Sequence, residues 1–144
     1  MPRFVETLRF MVHAWECDEF GHVNVRHYMG WVADAALSLI ATMGFDRASA
    51  AALDLGYAGV RAEVDFKSEL NGGDVVRMET AIVDVAERKL TFEHRMRRVG
   101  DGVLVMSARI VVVCLHLKQR KAHAWPPALL QQARALAEAP ADAA

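Results

Sequence analysis

The chain has almost no net charge, only two cysteines and no long apolar run, and each shortage closes off a class of protein. Its 17 Lys and Arg against 18 Asp and Glu leave a net charge of −1, so bulk electrostatics do not suggest nucleic acid as a partner. Cys17 and Cys114 are too few and too isolated for a disulfide framework. No apolar stretch reaches the ~18 residues that a membrane span needs. Arg3, Glu6 and Arg9 break up the first eleven residues, which therefore lack a signal-peptide core. These absences lead to the expectation of a cytoplasmic protein with no membrane partner. There is also no C-x-x-C or H-E-x-x-H pairing to hold a metal, and no G-x-S-x-G elbow to carry a nucleophilic serine.

What the chain does have is apolar surface. With 53% hydrophobic and 24% charged residues over 144 positions, it reads as one domain, 1–144, that buries roughly 70% of the surface its unfolded form would expose. That balance also favours self-association.

The stretch from Trp15 to Phe45 organises the rest. Glu16, Cys17, Asp18, Glu19, His22, Asn24 and His27 crowd around Gly21. Tyr28, Trp31, Val32, Ala35, Leu39, Ile40 and Met43 then fall on one face of a 3.6-residue period. No proline interrupts this helix, and Gly44 stands where a C-terminal cap belongs. The opposite face carries His27, Gly30, Asp34, Ser38 and Ala41, so the helix is expected to be largely enclosed. Its N-terminus offers unpaired N–H groups and the positive end of the peptide dipole near Asn24 to His27. One carboxylate, Asp18, lies within loop reach of that pocket.

Around this centre, residues 3–13 read as a first strand, and 46–59 as a short helix or an irregular excursion. Residues 61–70 alternate, with Ala62, Val64, Phe66, Ser68 and Leu70 against Arg61, Glu63, Asp65, Lys67 and Glu69, the pattern of a strand with one wet face. Asn71-Gly72-Gly73-Asp74 makes a hairpin turn. Strands follow at about 75–85, 89–98 and 103–118. The last is apolar on both faces around Val111 to Leu115, which places it centrally or at a subunit contact. Pro126 and Pro127 open a final helix over about 126–138, and 137–144 is expected to fray.

A five-stranded antiparallel sheet with one long helix between its first and second strands resembles the α+β hotdog fold, in which the sheet wraps around that helix. The motifs narrow the resemblance. D-x-x-G-H-V-N-x-x-x-Y, carried by Asp18, Gly21, His22, Val23, Asn24 and Tyr28, is similar to that of the acyl-CoA thioesterases related to 4-hydroxybenzoyl-CoA thioesterase. V-D-F-x-x-x-L-x-x-G-D, at Val64, Asp65, Phe66, Leu70, Gly73 and Asp74, is similar to that family's second strand and hairpin. The match spans about 3–118. Two positions depart from the family pattern: Glu69 stands for a frequent proline, and Leu90 for a frequent serine.

The resemblance implies a thioester hydrolase in which Asp18 acts as nucleophile or general base and a backbone N–H near Val25 holds the carbonyl oxygen. His22 and Asn24 orient water or substrate. A thiolate leaves without a strong general acid, so a lone carboxylate suffices, and no cofactor is expected beyond the coenzyme A of the substrate. Tyr28, Trp31, Tyr57 and Phe66 are expected to line the acyl site, and Arg88 and Lys89 to meet the phosphates of coenzyme A. The resemblance also implies a homodimer or homotetramer, with the active site between two subunits whose sheets join edge to edge.

Blander roles stand beside these. Asp18 alone reads as a loop residue bonded to a helix start, Asn24 as an N-cap, His22 as a partner of loop backbone, and Cys17 as a small buried residue. Two rival functions share the fold. One is a module that binds acyl-CoA or an acyl carrier protein without turnover. The other is a hydratase or dehydratase, whose D-x-N-x-x-H pattern is missing because Phe20 occupies the asparagine position.

Overall fold

The computed structural model describes residues 2–138. Of the tail expected to fray, 137–138 instead form the end of the last helix, and 139–144 fall outside the described residues. In chain order the elements are β1 (Val5–Met11), α1 (Val25–Thr42), α2 (Arg47–Leu53), β2 (Leu55–Phe66), β3 (Val75–Val85), β4 (Lys89–Arg98), β5 (Leu104–His116), β6 (Lys121–Ala122) and α3 (Pro127–Glu138). Every strand pairing is antiparallel. The main sheet runs β1-β3-β4-β5-β2, with the two-residue β6 added to β5. The sheet curls around α1, as a hotdog fold requires.

Alternation explains the sheet and helical period the filling. Val76 and Met78 of β3, Leu90, Phe92 and Met96 of β4, and Met106, Ala108, Ile110 and Val112 of β5 turn to the inner face and are buried. Tyr28, Val32, Ala35, Leu39 and Ile40 of α1 meet them. Leu129, Leu130 and Ala133 of α3 close the same core, and Trp125 is wedged against Phe45 and Tyr57. The turn at 71–74 places Gly73 at φ +93°, a conformation that a Cβ would strain.

Three expectations need correction. The second strand begins at Leu55, six residues earlier than its alternation suggests, because Leu55 to Gly59 pair with Val112 to His116 although Gly56, Ala58 and Gly59 blur the pattern. It ends at Phe66; the amides of Lys67 and Ser68 both turn to the carbonyl of Val105, which takes 67–70 out of the strand. And α1 is not enclosed. Val25, Met29, Gly30, Ala33, Asp34, Leu37 and Ala41 are exposed along its outer face.

One polar cluster sits inside the core. Thr7 Oγ1 and Thr80 Oγ1 lie 2.9 Å apart, and Thr80 Oγ1 lies 2.9 Å from His94 Nδ1. His94 is fully buried, and its Nε2 has no partner among the described residues. Burial pulls its pKa from 6.5 down to about 4. In the folded chain His94 thus stays neutral to about pH 4, whereas in the unfolded chain it protonates near 6.5. The unfolded state then binds more protons across that window, so stability falls as pH drops through it and the loss is complete below it. In urea titrations between pH 7 and 4, His94→Leu is expected to remove about 3 kcal/mol of the acid sensitivity that the parent shows. Equal slopes for the two proteins would show that the folded state accommodates the imidazolium.

Candidate active site

The loop between β1 and α1 is locked by bonds within a few residues of one another. Glu16 is buried, and its carboxylate accepts from the His13 N–H (2.8 Å). The Asn24 N–H donates to the Glu16 carbonyl (3.1 Å), the Asp18 N–H to His22 (3.0 Å) and the Gly21 N–H to Asp18 (3.0 Å). Gly21 takes φ +89°, which lets the loop double back so that Cys17 bridges to Val23. Two bonds tie the loop to the 67–74 segment: Val23 N–H to the Leu70 carbonyl (2.8 Å), and Asn71 Nδ2 to the Gly21 carbonyl (2.9 Å).

The half-buried Asp18 is held at both oxygens. Oδ1 accepts from the Phe20 N–H (3.0 Å) and Oδ2 from Asn24 Nδ2 (3.4 Å). Asn24 does two things at once, because its Oδ1 also caps α1 by accepting from the Arg26 N–H (3.2 Å). The next amide, on Val25, has no acceptor among the described residues. No acidic side chain occupies the first turn of α1, so the positive end of the helix is left for a ligand.

Asp18, His22, Val23, Asn24, Val25 and Tyr28 line one side of a cleft of about 490 Å³, and Phe66, Lys67, Ser68 and Glu69 line the other. Tyr28 and Phe66 meet edge to face at 5.1 Å and form its apolar wall. Burial raises the Tyr28 pKa, with smaller contributions from Cys17 and Glu69, so its hydroxyl is kept as a proton donor. A cleft of about 520 Å³ between β1, α1 and α3 is no smaller, but it contains no helix N-terminus.

Of the residues singled out in the sequence, the structure thus gathers Asp18, His22, Asn24, Val25, Tyr28 and Phe66. Trp31 stands one layer back, against Tyr28 and Phe10. Tyr57 packs on Phe45 and Trp125 at the other end of β2. Arg88 and Lys89 are at that end too, since Lys89 pairs with Val113 and Tyr57 with Cys114. Sequence reasoning missed Lys67, Ser68 and Glu69, which the strand pattern had absorbed. Arg98 holds them by donating to Ser68 Oγ (3.2 Å) and to the Glu69 carbonyl while it is itself paired with Asp101. The only available signal was the non-proline residue at 69.

Solved structures confirm the architecture. A Staphylococcus aureus protein determined in complex with CoA superposes at a TM-score of 0.88 with 17% identity, over 94% of this chain and 86% of that one. A 1,4-dihydroxy-2-naphthoyl-CoA thioesterase from Synechocystis gives 0.81 and 17%, over 92% and 97%. A putative thioesterase from Pseudomonas putida gives 0.81 and 18%, over 96% and 87%. Identities this low speak for the shared hotdog fold. No curated protein matches in sequence. The model of the thioesterase-like superfamily does match, over residues 12–133, which takes in the Asp18 loop, α1 and the whole sheet except β1. The chain belongs to the thioesterase-like superfamily.

Proposed function

We propose that the protein is an acyl-CoA thioesterase that hydrolyses a thioester to free acid and coenzyme A. The observation that carries this reading is that Asp18 and Val25, whose N–H has no acceptor among the described residues, line the same cleft. The thioester carbonyl oxygen accepts from the Val25 N–H, and the growing negative charge is stabilised by the end of the α1 dipole. Asp18, its plane fixed by Phe20 and Asn24, either attacks the carbonyl carbon or takes a proton from the attacking water. In both routes the C–S bond breaks and the sulfur leaves as thiolate. In the first route water must then open the acyl–aspartyl anhydride to release the acid, and label recovered in Asp18 after a single turnover in oxygen-18 water demonstrates that route, because a general base never acquires it. His22 and Asn24 orient the water, and Tyr28 and Phe66 hold the acyl group with Trp31 behind them. The reaction calls for no cofactor.

The protein acts in the cytoplasm as a homodimer or larger homo-oligomer. Arg88 and Lys89 meet coenzyme A phosphates bound at the site of a neighbouring copy, because in their own chain they stand at the far end of the sheet. An aromatic acyl group suits the Tyr28–Phe66 wall, as it does the naphthoyl group named for the Synechocystis enzyme. Free-thiol release from short, long and aromatic acyl-CoA esters tests the proposal. Turnover that depends on Asp18 sustains it; binding of the esters without turnover replaces it with the binding-module reading.

Asn71 gives a finer test. Asn71→Ala deletes the bond to Gly21 and frees the loop that carries Asp18. With one partly exposed hydrogen bond lost, stability should fall by about 1 kcal/mol or less. In steady-state kinetics kcat should fall roughly 3- to 10-fold with KM little changed, because a small displacement of a reacting group weakens the transition state more than binding. A change confined to KM would mean that the bond serves the substrate and not the loop.

A further inference from the structure

On the convex face of the sheet, the side chains that alternate with the buried Val76, Met78 and Met96 fall into rows that cross the strands. Register sets Arg9 of β1 opposite Arg77 of β3, and Arg77 opposite Arg97 of β4. Three arginines therefore stand in line. The next row, toward the 71–74 turn, is apolar: Met11 pairs with Val75, and the Val99 N–H donates to the Val75 carbonyl. These three side chains are 49%, 42% and 43% exposed. The row on the other side holds Glu6, Glu79 and Arg95. Like charges facing one another on neighbouring strands repel, and the carboxylates nearby do not cancel them. Arg9 pairs with Glu6 (2.8 Å) and Arg77 with Glu79 (3.2 Å), but Arg97 gives Nη1 only to the Gly102 carbonyl (3.2 Å), and Arg95 lies 3.8 Å over the Phe4 ring. Arg77 Nε is shielded from solvent and has no acceptor among the described residues. Four arginines thus face two glutamates, a surplus of two positive charges. The acids of the adjoining turns are already engaged, Asp74 by the Asn71 N–H and Asp101 by Arg98.

We propose that this face docks an acidic amphipathic helix of a different protein, laid across β1, β3 and β4 with carboxylates on Arg9, Arg77 and Arg97 and an apolar stripe on Met11, Val75 and Val99. The spacing fits. Neighbouring strands lie about 4.8 Å apart, so the arginine row spans about 10 Å, and helix positions i, i+3 and i+7 share one face over about 10.5 Å. The apolar row lies two residues along each strand, about 7 Å away, which is where the adjoining stripe of a helix about 10–12 Å across comes down. Arginine and methionine beside exposed valines are also the residue types that protein interfaces favour at their centre. A second copy cannot supply such a helix: among the described residues α1 carries one acid, Asp34, α3 carries one, Glu138, and α2 carries none. An anionic membrane plane would press on Glu6 and Glu79 as well, whereas a single helix covers only the two rows that it matches. The face lies at the end of the sheet that holds the candidate site. β1 runs from Met11 into the Asp18 loop, the Val12 N–H donates to the Asp74 carbonyl (2.8 Å), and Asn71 reaches Gly21 from the same turn. The docking surface is separate from the cleft and does not depend on the reaction proposed there.

The probe is a stapled helical peptide with Glu at i, i+3 and i+7 and Leu at i+1, i+4 and i+8. By fluorescence anisotropy it should bind the parent protein saturably, with Kd rising roughly tenfold or more between about 0.05 and 0.5 M NaCl. The same peptide with Lys for all three Glu should not bind. Arg97→Glu breaks no carboxylate pair, so its melting curve should match the parent while Kd rises roughly tenfold or more. Of the two peptides that carry Lys at one end of the acidic stripe, one should bind Arg97→Glu better than the all-Glu peptide does, which reports the direction of the helix. Met11→Gln should weaken binding roughly threefold through the apolar row. In labelled protein the amide shifts on titration should concentrate at 9–11, 75–79 and 95–99. No saturable binding to the parent, binding indifferent to Arg97→Glu, or shifts confined to Arg88, Lys89 and 118–121 would overturn the proposal. So would sedimentation of the parent with phosphatidylglycerol vesicles that Arg97→Glu abolishes while the peptide fails to bind, which would make the face a lipid contact.

Discussion

Asp18→Asn is expected to lower kcat for thioester hydrolysis by ~100-fold or more, about 2.7 kcal/mol of transition-state stabilisation. The substitution keeps the shape of the side chain and removes its charge. The loop should hold, because it is closed by backbone bonds from Asp18, Gly21 and Val23 and by Asn71, none of which needs the carboxylate. The Phe20 N–H keeps an acceptor in the amide oxygen; the Asn24 Nδ2 contact, already long at 3.4 Å, is lost. Fold and KM should therefore survive while turnover collapses, the pattern of an interaction made in the transition state alone. Thiol-release kinetics with a melting curve for the same sample give the answer. A loss under tenfold would return Asp18 to the role of a residue that closes its own loop.

The part of this site that could be read from sequence is the part made by neighbours in sequence. Asp18, His22, Asn24 and Val25 lie within eight positions, and the bonds that shape them seldom reach beyond the same loop, so the motif and the geometry coincide. The helix was legible because its buried face keeps one period. Its exposure was not, because Gly30, Ala33 and Ala41 suit a buried contact as well as solvent. The strands were legible where alternation survives. Between Leu55 and Gly59, small residues on both faces removed the contrast, although pairing with β5 makes the segment a strand. At the other end, alternation ran past Phe66 as far as Leu70. Leu70 is indeed buried, but its segment leaves the sheet, and Lys67, Ser68 and Glu69 thereby become the far wall of the cleft. Tyr57, Arg88 and Lys89 show the limit of residue type as a guide. Their residue types fit an acyl-CoA, yet the sheet carries them to the end remote from Asp18.

Val25→Pro is expected to cost 100- to 1,000-fold in kcat, the range found when one oxyanion donor is lost, while leaving the fold nearly untouched. Backbone donors are usually beyond the reach of mutagenesis. Here the position makes one accessible. Val25 is the first residue of α1, where proline is favoured because its fixed φ suits the helix and its missing N–H would have had no intrahelical acceptor. Asn24 before it already has φ −72° and ψ 144°, the extended conformation that a following proline demands. The Val25 side chain is 59% exposed, so replacing it disturbs little packing. The variant thus subtracts one N–H from the cleft and little else. Val25→Ala keeps that N–H and should stay within a few-fold of the parent, which separates the amide from the side chain. Thermal melts should place both variants close to the parent. If the proline variant turns over at the parental rate, the carbonyl oxygen is held elsewhere, and the Tyr28 hydroxyl on the same wall becomes the donor to remove next.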